Sequence, residues 1–323
     1  MCKGKVLLIA MLVVALVSGI SLNATVDAKA ADPKFLTVGT ANTGGAYYPI
    51  GIAMADLLSN KLKISSTAQT TGGAVENNTL IQNKRVDLAI TQGSMAHHAY
   101  YGIEPYKSKL KDVSLMFSGL SKGVFQVIVN DNSPIKSISD LKGKRVVLGP
   151  AGGGGIPTAA DVLSVYGMTL NDIKPVYVNY DDGANDLTSG YVDAVVIQSA
   201  IPSPAIFQLT AAKKDIRLLS LDDAGIKKLL KKFPYYSRID IDQSVYKFST
   251  VSSTIYVSNV VIVNKSLSTD LVYRMTKLFF ENIDRITASH PAAKDLTLKN
   301  AVTGIPIPLH PGAKKYFKEK GVL

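Results

Sequence analysis

Three features of this sequence predict an α/β fold with two lobes and a cleft between them. Strand-like and helix-like segments alternate, the alternation runs through two cycles of similar size, and glycine-rich turns precede several helices. Such alternation favours largely parallel sheets, which gather their loops and ligands at the carboxyl ends of the strands. A chain of 323 residues, 46% of them hydrophobic, has enough material for two cores.

Hydrophobic periodicity locates the individual elements. The predicted strands are 35–38, 63–69, 86–90, 115–119, 124–129, 145–148, 176–180, 192–197, 216–219 and 252–263. The predicted helices are 52–62, 73–84, 157–166, 184–189, 204–212 and 268–288.

The amino-terminal segment has the pattern of a signal peptide. Two lysines precede an apolar stretch at 6–20, which is too short to span a bilayer of about 30 Å. Small residues at Ala28 and Ala30 predict cleavage after Ala30. We therefore expect residues 1–30 to be removed, leaving an exported, periplasmic protein of 323 − 30 = 293 residues.

Composition narrows the function classes. Cys2 is the only cysteine and leaves with the leader, so the mature chain has neither disulfides nor thiol chemistry. The leader carries three lysines and one aspartate, so the net charge falls from +11 to +9 on cleavage. Scattered lysines without interleaved aromatic residues argue against nucleic-acid binding. The positive charge instead favours anionic ligands or membrane surfaces.

Glycine-rich turns before three predicted helices are the strongest functional signal. They are Gly44-Gly45, Gly72-Gly73 and the run Gly152–Gly155. Helix N-termini present unpaired N–H groups and a positive dipole end, which together suit a carboxylate or phosphate. Tyr47 and Tyr48 add hydroxyl donors and apolar ring faces beside the first turn. If the lobes face each other, the three turns line one interlobe cleft.

Signatures of catalysis and metal binding are weak. Neither a phosphate-binding G-x-x-x-x-G-K-[ST] loop nor a G-x-S-x-G nucleophile elbow occurs. The four histidines lack acidic partners at ligand spacing, and Asp181-Asp182 has the pattern of a helix N-cap followed by a first-turn acid. We therefore predict no catalytic residue, no metal and no cofactor. Tyr180, predicted at a strand end, is a candidate for the cleft.

The chain resembles the TAXI branch of the solute-binding proteins of TRAP transporters, the tripartite ATP-independent periplasmic uptake systems. The resemblance covers nearly the whole mature chain. The segments that carry it are 43–51 (TGGAYYPIG), 73–77 (GAVEN), 86–92 (VDLAITQ), 138–146 (ISDLKGKRV), 149–152 (GPAG), 190–194 (GYVDA) and 308–313 (PLHPGA).

This resemblance implies a two-lobed type II periplasmic-binding-protein fold that clamps a ligand by hinge closure. Lobe 1 is expected at 31–123 plus 257–323 and lobe 2 at 124–256, with a monomeric chain. The implied partners are the large and small membrane subunits of a TRAP permease. The implied ligand is a small organic anion such as glutamate or a related amino acid or carboxylate.

The resemblance also places ligand-binding positions on this sequence. They are Thr43, Gly44, Gly45, Tyr47, Tyr48, Gly73, Ala74, Asn77 and Gln92. Two segments depart from the pattern of the family. Gln92 is followed by Gly93-Ser94, and Gly153 and Gly155 stand where the family often has hydroxyl residues. We include Ser94, Gly152, Gly153 and Gly154 in the predicted site.

Three functions remain open from the sequence. The first is a transport receptor that binds its ligand without chemistry. The second is an exported hydrolase of small anions that uses Ser94 or the paired aspartates. The third is a sensory module that presents its liganded form to a membrane receptor. Three anion loops without a nucleophile–base pair favour the first.

Overall fold

The computed structural model describes residues 32–212 and 215–323, within which ten strands form one sheet. The strands are β1 (Phe35–Gly39), β2 (Ser65–Gln69), β3 (Leu88–Gln92), β4 (Val113–Asn130), β5 (Arg145–Val147), β6 (Lys174–Val176), β7 (Ala194–Ser199), β8 (Ile216–Leu218), β9 (Ser237–Ile241) and β10 (Ser252–Asn264). The main path of the sheet is β2-β1-β3-β10-β4-β7-β5-β6, with β8 paired to β4 and β9 paired to β10.

Helices flank the sheet. They are α1 (Tyr47–Leu57), α2 (Ala74–Gln82), α3 (Gly93–Tyr101), α4 (Gly155–Val165), α5 (Tyr180–Thr188), α6 (Pro204–Ala211), α7 (Asp223–Lys232), α8 (Gln243–Tyr246), α9 (Thr269–Glu281), α10 (Ile283–Ser289), α11 (Leu298–Ala301) and α12 (Pro311–Glu319). None of the helices in the described ranges is both long and apolar enough to cross a membrane.

The sheet is mixed, and at each of its two ends the neighbouring strands run parallel to one another. Strand β1 runs parallel to β2 and β3, and β5 runs parallel to β6 and β7. The two long central strands, β4 and β10, are antiparallel to each other and to their other neighbours. The expectation of largely parallel sheets therefore holds only for the outer strands, because the chain enters and leaves the second half of the sheet along antiparallel strands.

Strands β4 and β10 connect the two halves of the sheet. In their ladder Asn259 pairs with Ser121 and Val261 pairs with Phe117, so β4 carries two extra residues between these pairs. Gly119 lies in this bulge with φ +67°, a conformation that glycine adopts at no steric cost. The bulge bends the strand where it passes from one half to the other.

Each half of the sheet has its own buried core. In the first half, Leu36 and Ile50 pack with Phe279 and Phe317 from the C-terminal helices. In the second half, buried side chains from β4, β5 and β7 pack against helices on both faces. Lobe boundaries at 123/124 and 256/257 remain a prediction.

Four sequence-based expectations differ from the structure. Segments 115–119 and 124–129 belong to one 18-residue strand, β4, because the bulge keeps them in the same ladder. Strand β6 ends at Val176, and Tyr180 begins helix α5 instead of ending a strand. Helix α1 begins at Tyr47, so the tyrosine pair lies in its first turn. The predicted helix 268–288 is interrupted at Asn282. The predicted signal peptide lies outside the described residues.

Candidate functional site

Loops at the carboxyl ends of strands from both halves of the sheet meet around one cavity. Its lining residues are Ala41, Asn42, Gly45, Ala46, Tyr47, Gly72, Gly73, Ala74, Gln92, Gly153, Gly154, Tyr180, Gln198 and Ser199. The three glycine-rich turns that predicted a shared cleft therefore do converge. No lysine, arginine, histidine or carboxylate is among these lining residues.

The cavity is small because the two halves touch around it. Its volume is about 20 Å³, which suits a group the size of one water molecule. Four hydrogen bonds join the first loop to the second half. Ala46 N–H donates to Ser199 Oγ at 3.2 Å and Thr43 Oγ1 donates to Asp181 Oδ2 at 3.2 Å. Gly44 O accepts from Ala205 N–H and from Ser203 Oγ, at 3.4 Å each. The described arrangement is thus a closed one.

Tyr47 joins the first loop to the crossing strands. Its hydroxyl donates to Asn259 Oδ1 at 2.6 Å, and the amide of Asn259 in turn donates to Ser121 Oγ. Burial raises the pKa of Tyr47 well above its usual value, and burial likewise raises the pKa of Tyr180 to about 12. Both phenols therefore stay protonated and can act as hydrogen-bond donors near neutral pH.

The second glycine loop is engaged by the protein itself. The Val75 and Glu76 N–H groups both donate to the carbonyl of Gly152 in the opposite half, at 2.9 and 3.0 Å. The Glu76 carboxylate accepts from Gly72 N–H at 2.5 Å. The N-terminus of α2, expected to hold a ligand anion, is thus capped by protein oxygens in the closed arrangement. A Cβ on Gly72 would lie 2.1 Å from the Ala151 carbonyl oxygen, so glycine permits this approach.

The third glycine loop keeps free donors. The N–H groups of Gly154 and Gly155, at the start of α4, have no acceptor among the described residues. They are the donors best placed for an anion in this arrangement, because they add to the positive end of an 11-residue helix.

Three carboxamide oxygens in the cavity lining lack partners. Asn42, Gln92 and Gln198 are 7%, 2% and 9% exposed, and their Oδ1 or Oε1 atoms have no hydrogen-bond donor within the described ranges. The orientation of Gln198 is determined by the protein, since its Nε2 donates to Gly123 O at 2.8 Å. An unpaired buried polar group costs about 1–3 kcal/mol, and each of these oxygens has less than 1 Å² of accessible surface in the closed arrangement.

Six predicted site residues lie off the cavity, although some are close to it. Thr43 and Gly44 contact Asp181 at the rim. Tyr48 lies in the first turn of α1 but does not line the cavity, and Gly152 contributes only its carbonyl to α2. The other two, Asn77 and Ser94, point elsewhere.

Asn77 holds the loops of the first half together. Its amide donates to Thr40 O and Ile90 O at 2.7 Å each and accepts from Thr71 Oγ1 at 2.8 Å. These bonds use both N–H groups of the amide, and Asn77 is 0% exposed and does not line the cavity. The structure therefore gives Asn77 a supporting position.

Ser94 lies on α3 and borders a separate cleft of about 470 Å³ with His97 and Tyr235. Among the described residues no hydrogen bond joins its hydroxyl to a histidine or a carboxylate. Asp181 and Asp182 both lie in the first turn of α5, whose N-cap is Asn179 instead of the predicted aspartate.

Sequence reasoning missed five polar or small lining residues. They are Ala41, Asn42, Ala46, Gln198 and Ser199. Gln198 and Ser199 end β7, as Gln92 ends β3, so the carboxyl-end rule for parallel strands would have found both. The signal was hidden because β7 was predicted to end at Ile197.

Known proteins similar to this chain share its fold. A model of the NMT1-like family matches residues 38–321. Over 117 residues the chain is 30% identical to the “Putative aliphatic sulfonates-binding protein” of Escherichia coli (strain K12), which covers 36% of this chain and 32% of that protein. The chain thus matches about a third of the length of this curated relative.

Two solved structures extend the comparison. PhnD1 from Prochlorococcus marinus (MIT 9301), in complex with methylphosphonate, is similar with a TM-score of 0.57 and 13% identity over 90% of this chain and 100% of that one. An ancestral arginine-binding protein bound to arginine gives a TM-score of 0.50 and 17% identity over 79% and 97% of the two chains. The predicted type II periplasmic-binding-protein fold is thereby confirmed.

Proposed function

We propose that this chain, which belongs to the NMT1-like family, is the periplasmic solute receptor of an uptake system. In this role it binds a small organic anion, such as glutamate or a related amino acid or carboxylate, and delivers it to a membrane permease without chemistry. The observation that carries the proposal is the convergence of the three glycine-rich turns, from both halves of the sheet, on a single cavity. Such a site traps a ligand when the halves close on it.

The moving parts in this proposal are the two predicted lobes, 31–123 plus 257–323 and 124–256. The bulge of β4 beside β10 is the proposed hinge, because it lies within a few residues of both predicted chain crossings, at 123/124 and 256/257. Opening would separate Ala46 from Ser199 and α2 from Gly152, which releases three backbone N–H groups. A ligand then shifts the balance back toward closure only by its preference for the closed form.

The anion is proposed to dock on the N-termini of α1, α2 and α4. Among the described residues the N–H groups of Gly154 and Gly155 are free in the closed arrangement, whereas those of Ala46, Val75 and Glu76 are free only on opening. Contacts at the N-terminus of α4 are therefore the ones that favour closure. Backbone donors suit a carboxylate or a sulfonate, the ligand class in the name of the Escherichia coli relative. The absence of basic residues from the cavity lining is consistent with recognition by dipoles.

The proposed partners are the large and small subunits of a TRAP permease, and the receptor is proposed to act as a monomer. The sequence resemblance to the TAXI branch supports this choice. Reconstituting the receptor with a candidate permease in liposomes tests it, since uptake should require both components. Ligand binding without any stimulation of uptake would instead favour the sensory role.

A pair of substitutions tests the binding site. A Cβ on Gly45 would meet its neighbours at 3.6 Å or more, so Gly45→Ala should keep the fold and most of the affinity. Gly45→Val adds two methyl groups beside the cavity and should weaken ligand binding at least about tenfold, which is 1.4 kcal/mol. Calorimetry on ligands found by thermal-shift screening measures this. Equal affinities of folded Gly45→Val and wild type would remove the first loop from the site.

Turnover decides between receptor and hydrolase. Incubating the receptor with each bound compound, followed by mass spectrometry, should return the compound unchanged. Formation of a product would overturn the proposal.

A further inference from the structure

We infer that His98, Tyr235 and Asp161 form a second contact between the two halves of the sheet, which protonation of His98 strengthens. This inference rests on the proposed function, since it names a control of closure around the same cavity. His98 lies on α3, which packs in the core of the first half. Tyr235 packs against a core of the second half, and Asp161 lies on α4 in that half.

The contact has an aromatic part and a hydrogen-bonded part. The rings of His98 and Tyr235 lie edge to face, with centroids 5.7 Å apart and an interplanar angle of 83°. Aromatic rings attract each other in this geometry. The Tyr235 hydroxyl donates to Asp161 Oδ2 at 2.9 Å, and the Tyr236 hydroxyl donates to the same oxygen at 2.9 Å. Asp161 thus holds Tyr235 where its ring meets His98.

The carboxylate of Asp161 is a partly buried charge that His98 can balance. Burial raises the pKa of Asp161, whereas hydrogen bonds from Tyr236 and Tyr235 lower it, and so does the charge of His98. A carboxylate that is partly removed from water is stabilised by a nearby positive charge. Opening would move His98 away from Asp161, so this attraction acts fully only in the closed arrangement.

The hydrogen bonding of His98 leaves one ring nitrogen available for a proton. Its Nδ1 donates to Glu104 O at 2.8 Å, since a carbonyl oxygen can only accept. Within the described residues no hydrogen bond involves its Nε2. Imidazoles change their charge between pH 8 and pH 5. Closure should therefore be favoured as the pH falls from 8 to 6, and the effect should disappear at lower pH, where Asp161 itself is protonated.

Other charged groups near the contact do not link the halves in this way. Lys232 on α7 also lowers the pKa of Asp161, but both residues belong to the second half, so opening does not separate them. His97 contacts the His98 ring within α3 and donates from Nδ1 to a backbone carbonyl of the first half. Lys111 lies over tyrosine rings at the C-terminal end of α3. Protonation of His98 is therefore the change that acts between the halves.

Spin-label distances in the ligand-free protein test this inference. Lys61→Cys and Tyr191→Cys provide one exposed labelling site on each half, in a chain that begins at Ala31. The ratio of closed to open populations should be about threefold higher at pH 6 than at pH 8, the size expected of a partly exposed ion pair. Pulsed electron paramagnetic resonance measures both populations.

The outcomes separate this inference from the proposed function. A closed fraction that stays constant or falls between pH 8 and pH 6, yet rises when a compound from the thermal-shift screen binds, would overturn the pH-dependent contact and leave the receptor function standing. A distance distribution that responds neither to pH nor to any compound would overturn both.

Three variants locate the effect. His98→Gln and Asp161→Asn each remove one charge and keep a hydrogen-bonding side chain, so each should abolish the difference between pH 6 and pH 8. The double variant should behave like either single variant, because the two charges act as a pair. His97→Gln, on the same helix, is the matched control and should keep the wild-type difference. A pH effect that persists in folded His98→Gln would remove His98 from the contact, and Asp161→Asn decides the same question if His98→Gln fails to fold.

Discussion

At the scale of single residues, hydrogen-bond satisfaction separates supporting side chains from ligand-facing ones. Asn77 and Gln92 are both buried amides near the same loops, yet Asn77 makes three bonds within the protein and Gln92 leaves its oxygen unpaired. Sequence resemblance grouped the two together, because the type of residue does not reveal which way the side chain points.

Asn77→Ala tests this distinction. Removing the amide takes its donor from Ile90 O and one of two donors from Thr40 O, since Thr71 Oγ1 also lies 2.9 Å from Thr40 O. The free energy of unfolding should therefore fall by about 1–3 kcal/mol. Urea denaturation measures the loss. Ligand affinity of the folded fraction should change little, and a selective loss of affinity at unchanged stability would return Asn77 to the binding site.

His310 gives a prediction for pH. Its Nδ1 accepts from Gly312 N–H at the start of α12, and its Nε2 donates to Leu267 O. Burial lowers the pKa of His310, and burial also lowers the pKa of His290. Because the unfolded chain then binds more protons, stability should be constant above about pH 6.5 and fall as the pH drops below it.

The matched variants are His310→Asn and His310→Ala. Asparagine keeps an N-cap acceptor and cannot titrate near neutral pH, so its stability should fall less steeply between pH 6.5 and pH 5 than that of wild type. Alanine loses the cap and should cost about 1 kcal/mol at pH 8. Chemical denaturation across this pH range checks both predictions. If the free energy of unfolding of wild type changed with pH as little as that of His310→Asn, His310 would not be the titrating group.

At the scale of elements, most strands and helices could be predicted from the sequence because their hydrophobic periodicity is strong. The predictions failed where long-range pairing decides the outcome. The bulge at Gly119 joins two apparent strands into β4, and only the pairing with β10 reveals it. The start of α5 at Tyr180 was hidden, since Val176–Tyr180 has β-prone residues but pairs with β5 only as far as Val176.

The sequence was enough to predict that the glycine loops meet, but not which groups they contact there. That Gly152 caps the N-terminus of α2 depends on how closely two backbones approach. Local sequence carries no information on that distance, and the same holds for the carboxamides that complete the cavity.

Gly72→Ala tests the close approach of the second and third loops. The added methyl would lie 2.1 Å from Ala151 O, so the halves must separate, whereas Gly45→Ala meets nothing closer than 3.6 Å. We expect Gly72→Ala to lower the closed population and the ligand affinity at least about tenfold, since apparent affinity scales with the competent fraction. Small-angle scattering and calorimetry measure the two effects. If Gly72→Ala and Gly45→Ala had the same closed population and the same ligand affinity, the close approach of the loops would not control closure.

At the scale of the whole molecule, one mixed sheet with two cores supports a hinge between its halves. The first core is built mainly by residues before β4 and after β10, and the second mainly by the residues between. Both long strands contribute to both cores, through Phe117 and Val261 in the first and through Phe125 and Ile255 in the second. The halves share the two long strands and meet again at the loops around the cavity. This arrangement allows the loops to part without disturbing either core.

The most direct test of ligand-driven closure is the distance between the two halves. Cys2 is the only cysteine, so a chain beginning at Ala31 accepts spin labels at single introduced cysteines. Lys61→Cys and Tyr191→Cys place one label on each half at exposed positions. Pulsed electron paramagnetic resonance should show a broad or long distance between the labels without ligand and one shorter distance when a tight ligand is bound. A distance distribution that stays unchanged when a tight ligand saturates the protein would contradict the account.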